Sequence, residues 1–189
     1  MGAILQSLGR TVLAGVVLFL IVLFVLLGGK FNHLTFTLAL HVFAGVMWIG
    51  LLWYFNFVQI PSMPKIPDDQ KPAVSKVIAP TALFWFRWAA LATVVTGVAV
   101  ALINNYLVQA LSFATGLTAI GLGMWLAFLM AFNVWFIIWP NQKKALGIVI
   151  VEAAEKAKAA RMAMLTSRLN TMLSIPMLYC MVAQRYSGV

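Results

Sequence analysis

The chain has 189 residues, of which 63% are hydrophobic and only 9% charged, with a formal net charge of +9. Such a composition excludes an ordinary soluble domain and leaves one transmembrane bundle as the expected class. The positive charge does not point to nucleic acid, because its distribution along the chain follows a membrane topology instead.

Hydropathy predicts about five spans, at 11–29, 34–60, 81–104, 114–140 and 165–186, in an all-α polytopic bundle forming a single transmembrane domain over 1–189. The first, Thr11 to Gly29, follows one positive charge at Arg10. Its apolar run is long for a signal peptide and shows no clear small-x-small cleavage site, so it reads as a retained helix.

Span two contains no Asp, Glu, Lys or Arg, yet carries His41 in its interior. An ionisable ring in hydrocarbon is costly and faces a bundle interior, a cofactor or a proton path. His41, Gly45 and Trp48 recur at i, i+4 and i+7, on one stripe of the helix. Three roles are open to His41: a structural hydrogen bond to a neighbouring helix, ligation of haem b or another metal, or a proton relay. Gly45 would let a flat ligand approach the backbone beside it, with Trp48 on the same stripe, and Thr37 could orient the second ring nitrogen. The other histidine, His33, lies eight residues away in a short outer connection, so one helix cannot present both rings to one haem. A second axial ligand would come from Met124, Met130 or Met177, or from a symmetry-related His41; otherwise the iron would stay five-coordinate.

Residues 61–80 hold Pro61, Pro64, Pro67, Pro72 and Pro80 with Asp68 and Asp69, and read as a cytoplasmic loop. Span three brings Arg87, the one charge well inside an apolar run, flanked by Trp85 and Trp88. It either snorkels to the headgroups above a tryptophan belt or forms an anion site. Asn133 of span four and Asn170 of span five lie towards the same membrane side, as do Asn56, Arg168 and Thr171. Arg87, Asn133 and Asn170 are therefore the candidate catalytic set for a planar, oxygen-rich anion. Ala89, Thr93, Gly97 and Ala101 in span three, and Ala119, Gly123, Ala127 and Ala131 in span four, recur every four residues. Such small ridges let helices approach closely in lipid.

Residues 142–166, rich in Ala and Lys, predict a basic cytoplasmic helix with Glu152 and Lys156 at i, i+4, lying on the membrane face or continuing into span five. Arg10, Lys65, Lys71, Lys76, Lys143, Lys144, Lys156, Lys158, Arg161 and Arg168 fall on one side of a five-span arrangement, Lys30 and Arg185 on the other. The positive-inside rule then puts the N-terminus in and the C-terminus out, in a bacterial inner membrane. Anionic headgroups account for the basic face. Cys180 is single and reads as a buried structural thiol, and there is no CxxCH haem-attachment motif. The four carboxylates all lie in the cytoplasmic segments, and neither a GxSxG elbow nor a phosphate-binding glycine loop occurs.

Four stretches carry a family resemblance: His41-Val42-Phe43-Ala44-Gly45-Val46-Met47-Trp48-Ile49-Gly50, Phe84-Trp85-Phe86-Arg87-Trp88, Trp139-Pro140-Asn141-Gln142 and Ser167 through Leu178. In these the chain resembles the membrane region of the membrane-integral urate hydroxylases, the urate oxidase N-terminal domain. The last stretch is the most specific; the first is shared with haem-binding membrane protoporphyrinogen oxidases. The resemblance implies oxidation of urate to 5-hydroxyisourate, with electrons passed to a cytochrome c domain after the last span. This sequence ends at Val189 without that domain, reading as a short form, and has Ala89 where the family pattern expects an acidic residue. The expected function is a small membrane redox protein carrying electrons from a cytoplasmic-side substrate to an external cytochrome c, as a monomer or a homo-oligomer. The competing classes are a non-catalytic subunit or assembly factor of a larger respiratory membrane complex, and an anion or purine channel.

Overall fold

The computed structural model describes residues 2–186, except the side chains of residues 3, 26, 185 and 186. The Arg185 charge, assigned to the outer side, is among those exceptions. Among the described residues every regular element is helical. Six helical rods follow in order after a turn at Gly2–Leu5: α1 (Leu8–Val25), α2 (His33–Lys65), α3 (Lys71–Ile103), α4 (Leu107–Leu111), α5 (Thr118–Ala145) and α6 (Ala153–Tyr186). Four of them, α1, α2, α3 and α5, are long and apolar enough to cross a membrane. The residue contacts divide the chain into two units, Met1–Phe36 and Thr37–Val189.

In the first unit, α1 is almost wholly apolar and most of its large side chains are exposed. It stops where Gly28 and Gly29 take φ of 62° and 68°, left-handed values that glycine alone adopts without strain. Asn32 Oδ1 then accepts the amides of Leu34 and Thr35 at 2.9 and 3.1 Å, a helix N-cap that starts α2. His33 accordingly opens a helix and does not sit in a loop.

The second unit is built on one core. Trp48, Leu52 and Phe55 of α2 meet Leu83, Phe86, Ala89 and Ala90 of α3, Met130 and Val134 of α5, and Met177 of α6. A smaller cluster, Ala101, Ala110, Ile120 and Met124, closes the end near α4. There Gly121 lies so close to the Ala110 carbonyl that a side chain would collide with it.

Two boundaries differ from the sequence expectation. The proline-rich loop shrinks from 61–80 to the five residues between α2 and α3, because most of its prolines are absorbed into helix ends. Pro61, Pro80 and Pro140 each follow by two residues a π-helical turn, at Tyr54–Gln59, Val74–Ile78 and Asn133–Ile138. A proline offers no N–H to the carbonyl four residues back and presses its ring against it; in each case the residue just before the proline donates five residues back, Ile60 to Phe55, Ala79 to Val74 and Trp139 to Val134, so the helix has already widened there. Pro72 occupies the first turn of α3, where no amide is missed, and Pro64 lies in the short 3₁₀ turn Met63–Lys65 that ends α2. In the short loop itself Lys71 pairs with Asp68 at 2.5 Å and holds that carboxyl below its ordinary range.

The second difference is α6. Ala153–Tyr186, which takes in most of the basic segment and the expected fifth span, forms one helix of 34 residues and is not among the four helices apolar enough to cross a membrane. Nothing between Ala153 and Ile175 is a glycine or proline, and Ala, Lys, Glu, Leu and Met are strong helix formers. Glu152 lies just before the helix, so its side chain is off the helical face; it meets Lys156 only through its carbonyl. The side-chain ion pair joins Lys144 to Glu155 at 2.6 Å and ties the end of α5 to the start of α6.

Candidate functional site

The two small-residue ridges receive different helices. On α3 the ridge faces α2: a Cβ on Gly45 would stand 3.8 Å from the Thr93 methyl, and a Cβ on Gly97 would stand 2.8 Å from Cε1 of His41. Gly97 therefore provides the space that the imidazole occupies. On α5 the ridge faces α6, with Gly123 against Cys180 and Met181. Cys180 is buried there, as its apolar neighbours lead one to expect.

His41 is half-buried, and its Nδ1 lies 2.9 Å from the Thr93 carbonyl and 3.3 Å from Thr96 Oγ1. A carbonyl can only accept, so Nδ1 carries the proton and donates it. Thr96 Oγ1 is itself anchored 2.6 Å from the Ala92 carbonyl. The neutral ring then has a bare lone pair at Nε2, which has no partner among the described residues. This is the arrangement by which proteins prepare an imidazole as a ligand: one nitrogen tied to a carbonyl, the other free. The orienting group is on α3, 52 residues away, a relation that no local pattern encodes.

Gly45 and Trp48 lie on the same stripe but face packed protein. Trp48 is fully buried in the core, and its Nε1 has no partner. Two further buried atoms on α2 share that condition, Asn56 Oδ1 and Gln59 Oε1; Trp135 Nε1 on α5 is the fourth among the described residues.

Asn133 and Asn170 come together; Arg87 goes elsewhere. Asn133 donates to Asn170 Oδ1 at 2.8 Å, and Asn170 donates to the Met130 carbonyl at 2.9 Å, all within a buried contact of α5 and α6. Arg87 lays its guanidinium over the Trp139 ring, 3.7 Å from the centroid, within cation–π range. The ring pair Trp88–Trp135, with centroids 5.4 Å apart, joins the same two helices. Arg87 is partly exposed and has no carboxylate partner among the described residues, whose four carboxylates are all exposed.

Sequence reasoning did not find Thr93 and Thr96 as partners of His41, Trp139 as the partner of Arg87, or Ser167 and Ser174. Asn56 donates to Ser167 Oγ at 2.8 Å, and Trp53 Nε1 to Ser174 Oγ at 3.0 Å. The signal for the last two was the polar spacing Ser167, Asn170, Ser174 on α6, which places all three on one face. Every stretch that carried the family resemblance is thus an interhelical seam.

Chemically, His41 fits one axial position of a haem: its tautomer is fixed and Nε2 is free. Among the described residues no group of three His, Cys, Asp or Glu could hold a metal ion without such a cofactor. The three methionines considered as opposite ligands are enclosed, Met130 at 0%, Met177 at 4% and Met124 at 7% exposure.

No curated protein and no solved structure matches this chain. The family model described as urate oxidase N-terminal matches residues 112–189. That segment holds α5 and α6, with Asn133, Trp139 and Asn170, while His41 and Arg87 precede it. From Ser112 onward, the chain is similar to the urate oxidase N-terminal family.

Proposed function

We propose that this protein is an integral membrane redox protein of the bacterial inner membrane, related to the urate hydroxylases. It would pass electrons from a cytoplasmic-side purine to an acceptor such as an external cytochrome c. The observation that carries the reading is the His41 lone pair: a fixed tautomer with an unpartnered Nε2 inside an apolar helix. The family match from Ser112 onward supports urate as the substrate class. Oxidising urate to 5-hydroxyisourate consumes one water and releases two electrons and two protons.

In this reading His41 is the haem ligand, and the haem supplies one-electron transfer when bound. The Thr93 carbonyl keeps the proton on Nδ1, and Gly97 leaves room for the ring. Arg87, braced on Trp139 and free of any carboxylate, attracts the urate anion towards the basic face. The Asn133–Asn170 pair holds α5 against α6 so that this surface keeps its shape.

One observation favours a second reading, a non-catalytic subunit of a larger complex: Asn133 and Asn170 are engaged with each other, and the four carboxylates lie on exposed ends. Absorption spectra of the detergent-purified protein, oxidised and reduced, separate the two. The redox reading expects a Soret band that disappears in His41→Ala, and anaerobic reduction on adding urate. Absence of both chromophore and metal, with co-purifying respiratory subunits, selects the second.

A further inference from the structure

We propose that the groove between α3 and α5 holds one anionic phospholipid, its phosphate bound by Arg87 and Lys143 beside the Trp139 ring and an acyl chain lying along the groove. The site goes beyond the redox reading and does not depend on His41. A purine anion that reaches Arg87 competes with the lipid phosphate for it.

Two cations share one indole. The Arg87 guanidinium carbon stands 3.7 Å from the Trp139 ring centroid, and Lys143 Nζ stands 5.7 Å from it. The negative face of the ring attracts each of them but leaves two net positive charges together. Neither has a carboxylate partner among the described residues, where Asp68 and Glu155 pair with Lys71 and Lys144 instead. The first unit, Met1–Phe36, contains no Asp or Glu and therefore holds no counter-charge for them. What the pair lacks is an anion from outside the chain. Phosphate suits it, because arginine presents a planar fork of donors to the oxygens and lysine adds a point charge.

The surroundings of the cations say which phosphate. Here α3 and α5 run antiparallel, with Arg87 against Trp139 and Trp88 against Trp135. Between the same two helices lies a groove of about 450 Å³, lined by Leu91, Val94, Ala131, Phe132, Trp135 and Phe136. Leu91 and Val94 come four and seven residues after Arg87, and Trp135 and Phe132 four and seven before Trp139. The lining thus continues, turn by turn, the two stripes that carry the cation pair, and leads away from the basic end of both helices. A charged end followed by an apolar trough matches an amphiphile, with phosphate at the interface and hydrocarbon below it. A soluble anion would use the cations and leave the trough empty. The leaflet on the basic side supplies anionic lipid, which such cations attract.

The test titrates phosphatidylglycerol, with phosphatidylcholine as the zwitterionic control, into the full chain purified and delipidated in detergent. Native mass spectrometry counts the lipids retained, and thermal unfolding checks that each variant is folded. The expected result is one phosphatidylglycerol held per chain, which phosphatidylcholine does not replace. Arg87→Gln and Lys143→Gln should each weaken retention about fivefold, the worth of one cation at a membrane surface. Ala131→Phe fills the groove while leaving both cations in place, and should abolish retention. Lys143→Gln, at a partly exposed position, decides the matter alone if the groove variant fails to fold. Equal retention of the two lipids, no loss in Lys143→Gln, or displacement by an equal concentration of inorganic phosphate overturns the lipid site. Retention unchanged in a folded Ala131→Phe overturns it too, since the groove then has no part in holding the lipid. None of these outcomes touches the Soret band or its loss in His41→Ala, so the redox reading stands or falls separately.

Discussion

The two polar seams of the bundle treat their valences oppositely. Between α5 and α6, Asn133 and Asn170 spend their hydrogen bonds on each other and on the Met130 carbonyl, in a fully buried contact. Along α2, the face that begins at His41 leaves polar atoms open: His41 Nε2, Trp48 Nε1, Asn56 Oδ1 and Gln59 Oε1. In a membrane the difference matters, because no water in the hydrocarbon relieves an unpaired group. A closed pair locks helices together and has nothing left for a ligand. An open valence is unfavourable in the chain alone and is justified by something it binds. The closed seam lies inside the family match and the open one precedes it.

Breaking the closed seam should have the largest effect. Asn170→Ala leaves the Asn133 amide buried without its partner and takes from the Met130 carbonyl one of its donors, at a cost of about 2–3 kcal/mol. Replacing both asparagines by leucine removes both unsatisfied side chains and should be milder than the sum of the single losses. Thermal unfolding in detergent of the two single variants and the double variant measures that coupling. Additive losses would mean that the clasp is not a unit.

The sequence showed the ends of these seams better than their pairings. An ionisable ring in an apolar run, a small-residue ridge and a run of asparagines and serines are all visible by spacing. His41 and Gly97 both stood out, yet not as a ring and the space made for it, because a contact between helices leaves no local periodicity. Arg87 stood out for its charge, and Trp139 only as part of a motif; their stacking needed the fold. The proline loop misled for a specific reason. Proline is a reliable breaker only where the helix cannot widen, and here three π turns do widen ahead of Pro61, Pro80 and Pro140.

The open seam is tested next by Gly97→Ala. A methyl group 2.8 Å from Cε1 must push the imidazole aside, since the Thr93 carbonyl fixes its other edge. A destabilisation of about 1–2 kcal/mol is expected, the range for overpacking that a side chain can partly yield to. Nitrogen-15 shifts of His41 should show the Nδ1–H tautomer in the wild type and a mixture in the variant. An unchanged tautomer would mean that the carbonyl, and not the space at Gly97, holds the ring.

The smallest effect has the opposite sign. Gln59 Oε1 is enclosed and unpaired at the end of the α2 face, beside the π turn that already makes room for Pro61. Gln59→Met keeps the length of the side chain and removes the amide, so the protein should become more stable by roughly 0.5–1 kcal/mol. The same exchange at Asn133 should destabilise, because there the amide is engaged. The two substitutions differ only in whether the polar group has a partner, and a shared sign in thermal unfolding would erase the distinction between the seams. Opposite signs would place the open valences of α2 among groups that weaken the chain alone.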